Sequence, residues 1–180
     1  KRRIYLSILK KVVELTKAIE MGKRDSWEEY FMSQAYIASL RSTCGSRRVG
    51  AVIVNGIEPG KRKVLATGYN GNPPGDKHCF EGGCPRFKAR QEGLIESGDY
   101  NEDYPCYAFH AEANALYQMS QLGIATKDCI VFTTTFPCRQ CAEKMLGSGI
   151  KKIYYCEGYP DEFSKKYLEK YKVDFEKIEI

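Results

Sequence analysis

Two short runs constrain this chain more than any other feature: His110-Ala111-Glu112 and, further on, Pro137-Cys138-Arg139-Gln140-Cys141. One imidazole and two thiolates form a donor set that suits a borderline-soft cation such as zinc. Three protein ligands leave the fourth tetrahedral position open, which marks a catalytic rather than a structural metal centre. Glu112 follows the histidine by two residues, spaced to reach that open position without being a ligand. Any fold this chain adopts must therefore bring two segments, each at a helix start, to one point.

Composition sets the frame around those runs. A chain of 180 residues forms one domain and buries a real core without disulfides. No stretch approaches the roughly 18 uninterrupted apolar residues of a membrane span. No secretory n-region, h-region and cleavage pattern opens the sequence, so the expected location is cytoplasmic. Eight cysteines in a secreted protein would read as four disulfides. Here two belong to the metal runs, and thiolates serving metals in a reducing compartment are the better reading.

The net charge of +5 is unevenly placed. Residues 1–24 carry eight basic side chains against Glu14 and Glu20, so the remaining 156 residues sum to −1. A body without net positive charge is not a phosphate-backbone binder by charge alone, and nucleic acid is not an expected partner.

Hydrophobic spacing predicts the elements. Ile4, Ile8, Val12, Leu15 and Ile19 recur at helical intervals over residues 3–20. Ser26 and Glu29 make a capping box that opens a helix to about Leu40. Arg48 to Val54 and Lys63 to Tyr69 read as an antiparallel hairpin. A helix over about 110–121, a strand Cys129–Thr134 and a helix from Cys138 to Leu146 follow. A strand Lys152–Cys156, a helix Glu162–Tyr171 and a strand Val173–Ile180 complete the series. Two strands followed by alternating helices and strands predict an α/β sandwich with helices on both faces of a five-stranded sheet. The exception is Gly71 to Phe109, a long segment in which only Pro85–Glu96 has helical character. Such an insert in a compact domain is functional or disordered unless something staples it.

The H-x-E and P-C-x-x-C runs are the signature of zinc-dependent nucleobase deaminases. With Val49-Gly50-Ala51-Val52-Ile53-Val54, Gly68-Tyr69-Asn70-Gly71 and Asn114, the chain resembles the deoxycytidylate (dCMP) deaminases, near the phage and late-competence-operon branch. The resemblance covers about residues 26–160. It implies a three-layer α/β/α cytidine-deaminase-like sandwich with a mixed sheet. The domain spans 25–180, behind a basic N-terminal helical extension over 1–24. The implied reaction is hydrolysis of dCMP to dUMP and ammonia in pyrimidine deoxynucleotide metabolism. His110, Cys138 and Cys141 hold the zinc, and Glu112 carries protons between water, N3 of the ring and the departing amino group.

Other residues carry weaker expectations. Cys44, Cys79, Cys84 and Cys106 supply the four sulfurs of a closed second zinc site, with His78 as an alternative to Cys79. That metal would pin the 71–109 insert to the body. The resemblance gives Asn70 a contact with the nucleotide sugar and places Tyr159 near the substrate. A monophosphate needs a cation, for which Arg41, Arg47 and Arg48 are candidates. Cys129 and Cys156 lie within strands and read as small core hydrophobes. The resemblance also implies a homo-oligomer and regulation by dCTP and dTTP. Two other functions share the zinc runs: a nucleic-acid base deaminase of the tRNA adenosine type, and a non-catalytic two-zinc competence or interaction module. Asn114 and the near-neutral body argue against the first, and the intact Glu112 against the second.

Overall fold

The computed structural model describes residues 24–96, 101–158 and 161–179, with residues 10, 12–14 and 17, which are helical. Apart from those five positions, the helix expected over 3–20 lies outside the described residues. Strands β1 (Gly50–Val54), β2 (Val64–Tyr69), β3 (Ile130–Thr135), β4 (Lys152–Glu157) and β5 (Asp174–Lys177) form one sheet in the order β2-β1-β3-β4-β5. β1 runs antiparallel to β2 and β3, whereas β3, β4 and β5 are mutually parallel. The sheet is mixed, as expected.

The further helices named among the described residues are α1 (Trp27–Ser39), α2 (Pro85–Gln91), α3 (Ala111–Gln121), α4 (Arg139–Gly147) and α5 (Glu162–Lys170), of which α1, α3, α4 and α5 contribute to the core on the sheet. α1 begins at the expected capping box: Ser26 Oγ accepts from the Glu29 N–H at 3.1 Å, and Glu29 Oε2 accepts from the Ser26 N–H at 2.8 Å. Strand alternation divides the core into two layers. Val52, Val54, Phe132 and Tyr154 face Phe31, Met32 and Ala35 of α1. Ile53, Val131 and Ile153 face Leu116 and Met119 of α3, Met145 of α4 and Leu168 of α5. Every residue of β1 is buried, since helices cover both its faces. Phe132 sits between Phe31 and Tyr154, with ring centroids 5.3 and 4.8 Å away, and each such burial contributes about 1.5–3 kcal/mol.

Glycine decides how closely α3 lies on the sheet. A side chain at Gly68 of β2 would run into the Ala111 carbonyl and the Ala115 N–H of α3. Only a hydrogen at that position lets the helix descend onto the strand, and the height of its first turn follows from this.

The insert is closed at its base. Gly71 and Phe109 form an isolated antiparallel bridge, with N–H to carbonyl distances of 3.1 and 2.9 Å. Its helix ends at Gln91 rather than Glu96, followed by Gly93 at φ 71°. α2 packs back on the loop before β1: Arg90 Nη1 donates to Ser46 Oγ at 3.0 Å, and Phe87 fills the space over Gly45.

Candidate active site

The three expected ligands converge. The donor atoms of His110, Cys138 and Cys141 all lie within 4.8 Å of one another. His110 Nδ1 is 3.4 Å from Cys138 Sγ and 3.3 Å from Cys141 Sγ. Zinc with bonds of about 2.0 Å to nitrogen and 2.3 Å to sulfur at a tetrahedral angle separates the two donors by about 3.5 Å. The residues present therefore fit the ion in number, softness and spacing.

Two helix termini build this cluster. His110 is the N-cap of α3 and Cys138 the N-cap of α4, both in extended conformation. Cys138 thus precedes its helix rather than lying inside the first turn, as the sequence reading had it, and Cys141 is the third helical residue. Neither N-cap side chain makes a capping hydrogen bond, and both are in reach of Cys141 Sγ instead. The positive ends of the two helix dipoles meet here and favour thiolates. The Cys138 thiol is accordingly pushed down to about 4, first by its hydrogen bond with Cys141 and then by His110, against burial. Cys141 moves upward as the partner that keeps the proton, and the bond to Cys138 raises His110.

Glu112 lies in the first turn of α3 and is 4% exposed. Its Oε2 is 3.5 Å from Cys141 Sγ and its Oε1 is 3.5 Å from Thr133 Oγ1. Burial pushes its carboxyl above the ordinary carboxylate range, while its own backbone N–H and the charge of His110 pull it down. A buried carboxyl raised above its ordinary range beside a His/Cys/Cys donor set is the environment a general acid–base requires.

A cavity of about 650 Å³ opens onto His110, Cys138 and Cys141, with Arg86, Tyr117 and Lys144 on its walls. Asn70 lies on the segment after β2 and is tied into the loop before β1. Its Oδ1 accepts from the Val49 N–H at 2.8 Å and from Ser42 Oγ at 2.7 Å, and its Nδ2 donates to the Arg47 carbonyl at 2.9 Å. Arg47 and Arg48 are exposed in the loop that Asn70 clasps. Arg41 and His78 line a different cavity of about 390 Å³, with Asn72 and Asn114, which shares Phe109 and Tyr117 with the first. Asn114 Nδ2 donates to the Tyr69 carbonyl at 2.7 Å and fastens α3 to the end of β2. Tyr159 lies outside the described residues.

Among the described residues, His110, Cys138 and Cys141 are the one His/Cys group whose donors all lie within 4.8 Å of one another, and Cys44, Cys79, Cys84 and Cys106 do not form a second. Cys84 Sγ and Cys106 Sγ are 3.9 Å apart, and burial pushes both thiols up. Cys79 is buried and raised, with Cys44, Cys84 and Cys106 all close enough to influence it electrostatically. Ser42 and Thr133 are the polar partners that sequence reading missed. Thr133 sits in a strand-forming run, Ile130–Thr135, where threonine is an ordinary strand residue and its hydroxyl carries no signal of its own.

A mixed sheet, two helix termini carrying a His/Cys/Cys donor set and a buried glutamate define a zinc centre of the hydrolytic, open-position class. The family model for the cytidine and deoxycytidylate deaminase zinc-binding region matches residues 25–157. ComE operon protein 2 of Bacillus subtilis is 33% identical over 159 residues, which cover 88% of this chain and 74% of that one. Deoxycytidylate deaminase of Saccharomyces cerevisiae is 38% identical over 147 residues, covering 81% of this chain and 43% of the yeast protein. Among solved structures, the dCMP deaminase of cyanophage S-TIM5 in complex with dCMP and dUMP superposes with a TM-score of 0.64. It is 28% identical, over 84% of this chain and 96% of the phage chain. The chain belongs to the cytidine and deoxycytidylate deaminase family.

Proposed function

We propose that this chain deaminates dCMP hydrolytically to dUMP and ammonia, a step that supplies thymidylate synthesis. The observation that carries the reading is the meeting of His110 Nδ1, Cys138 Sγ and Cys141 Sγ with the buried Glu112 carboxyl 3.5 Å from Cys141. The likeness to a phage enzyme solved with dCMP and dUMP supports the choice of substrate. His110, Cys138 and Cys141 would hold zinc, which when bound acidifies water and supplies a nucleophile near neutral pH. Glu112 takes a proton from the attacking water and gives it to N3 of the cytosine; it then takes the proton of the new C4 hydroxyl and passes it to the amino group, so that the C4–N bond breaks, ammonia leaves and the C4 carbonyl forms. One carboxyl serves both transfers because it ends in its starting state.

Asn70 meets the deoxyribose through the amide N–H that Arg47 does not take, and Arg48 in the clasped loop meets the phosphate. Tyr159 would close the substrate side. Cys44, Cys79, Cys84 and Cys106 hold a second, structural zinc that pins the 71–109 insert to the catalytic domain over 25–180. The 3.9 Å between Cys84 Sγ and Cys106 Sγ and the electrostatic influence of Cys44, Cys84 and Cys106 on Cys79 support that assignment, with His78 as the alternative to Cys79. The cavity carrying Arg41, His78 and Asn114 is the place for dCTP or dTTP as effector. The protein works as a homo-oligomer in the cytoplasm, with residues 1–24 as a basic N-terminal extension of the catalytic domain. Eight free cysteines fit a reducing compartment, and among the described residues no helix is long and apolar enough to cross a membrane.

The test is ammonia release from dCMP, dCTP, deoxycytidine and cytidine, with and without added dCTP, on protein of measured zinc content. The reading expects dCMP to be turned over well above the others and two zinc ions per chain. Silence on all four substrates with zinc bound would overturn it, and one zinc per chain would remove the second site.

A further inference from the structure

Glu112 must present one carboxyl oxygen to the reacting water in a defined direction, yet the terminal torsion of a glutamate is intrinsically broad. The two side chains described against its oxygens come from different elements: Cys141 of α4 on Oε2 and Thr133 of β3 on Oε1. Cys141 is committed to the metal cluster, which leaves Thr133 as the contact on the carboxyl from outside that cluster. Thr133 is 0% exposed and points to the α3 side of the sheet, the face it shares with Val131. Packing alone would be served there by valine, which has the same shape, so a fully buried hydroxyl needs a polar partner.

Two partners stand within its reach. Thr133 Oγ1 is 3.5 Å from Glu112 Oε1 and 3.2 Å from the Thr135 carbonyl. The first distance is long for an O–H···O bond, and catalytic hydrogen bonds of this kind tighten when substrate closes the site. A hydroxyl can donate to Oε1 or accept from it, with the Thr135 carbonyl taking its proton in the second case. We propose that Thr133 is a positioning residue for the deamination: its hydroxyl holds Glu112 Oε1, so that Oε2 faces the open metal position. The inference rests on the deaminase reading above and adds to it a residue that touches neither metal nor substrate.

The experiment compares Thr133→Val and Thr133→Ser with the unaltered protein, each at measured zinc content, for kcat and KM on dCMP and for thermal midpoint. In Thr133→Val, kcat should fall by about tenfold to a hundredfold, the scale of one hydrogen bond to a charged group, with KM within about twofold. Zinc content and midpoint should stay near those of the unaltered protein, and Thr133→Ser should recover most of kcat. A crystal structure of Thr133→Val should show the Glu112 carboxyl turned. Unchanged kcat in Thr133→Val overturns the inference, as does a loss that serine does not restore or that comes with lost zinc. An unaltered protein that leaves dCMP untouched would end the deaminase reading itself, and the inference with it.

Discussion

His110 and Cys138, 28 residues apart in the chain, are each the N-cap of their helix, and their donor atoms meet at 3.4 Å. An N-cap side chain ordinarily accepts a hydrogen bond from the first turn of its helix, and losing that bond costs about 1 kcal/mol. Here both caps are withheld from the backbone and given to the metal cluster. The site thus imposes a local cost on α3 and α4, which the packing of Leu116, Met119, Ala142 and Met145 into the core offsets.

That relationship makes a prediction about the metal-stripped protein. Cys138→Ser supplies a true N-cap, so without zinc the variant should be more stable than the unaltered chain by about 0.5–1 kcal/mol. The midpoint should rise by about 1–4 °C in matched chelated samples. With zinc supplied, the variant should bind less metal and lose turnover. A lower midpoint in the chelated variant would contradict the account of α4.

Gly68 sets how closely α3 lies on β2. Gly68→Ala pushes a methyl against the Ala111 carbonyl, which must shift the helix turn carrying His110 and Glu112. Overpacking of this kind costs about 1–3 kcal/mol, and denaturant unfolding should show a loss in that range. Turnover should fall further than stability alone explains. An alanine variant with unaltered stability and activity would show that the approach of α3 to β2 is not tight.

Asp161 caps α5 and gives a pH-dependent prediction. Its Oδ2 accepts from the Ser164 N–H at 3.0 Å and from Ser164 Oγ at 2.7 Å, and these bonds hold its carboxyl below the ordinary range. A depressed carboxyl stabilises the fold fully above its unfolded value, near pH 3.9, and the contribution disappears as pH falls through the folded value. Asp161→Ala should therefore cost about 1 kcal/mol at pH 7, and the deficit should shrink at more acid pH. Denaturant melts of both proteins at pH 7 and below pH 4 check this. A deficit independent of pH would contradict it.

The sequence made the chemistry legible because metal binding tolerates few residue types: His110, Cys138 and Cys141 cannot be replaced by generic polar residues and still form a donor set. The helices and strands were legible from apolar spacing, and their ends moved by a few residues. The closure of the 71–109 insert by the Gly71–Phe109 bridge was not readable, because a backbone bond leaves no mark on side-chain identity. Arg41 and His78 illustrate the same limit. Their types pointed to phosphate and metal, but only the fold shows that they share a cavity that the zinc donors do not line. Asn70 was read as a sugar ligand, and the partners its side chain finds in Ser42, Val49 and Arg47 depend on where the loop before β1 comes to rest.

The central claim is that Glu112 carries protons for dCMP hydrolysis at the His110, Cys138 and Cys141 centre. Its most direct measurement is the turnover of dCMP by Glu112→Gln beside the unaltered protein, with zinc content and thermal midpoint determined on the same samples. The account predicts a kcat lower by about 10²–10⁴, the range of a general acid–base, with zinc and fold retained. A glutamine variant that still deaminates dCMP at the unaltered rate would contradict it.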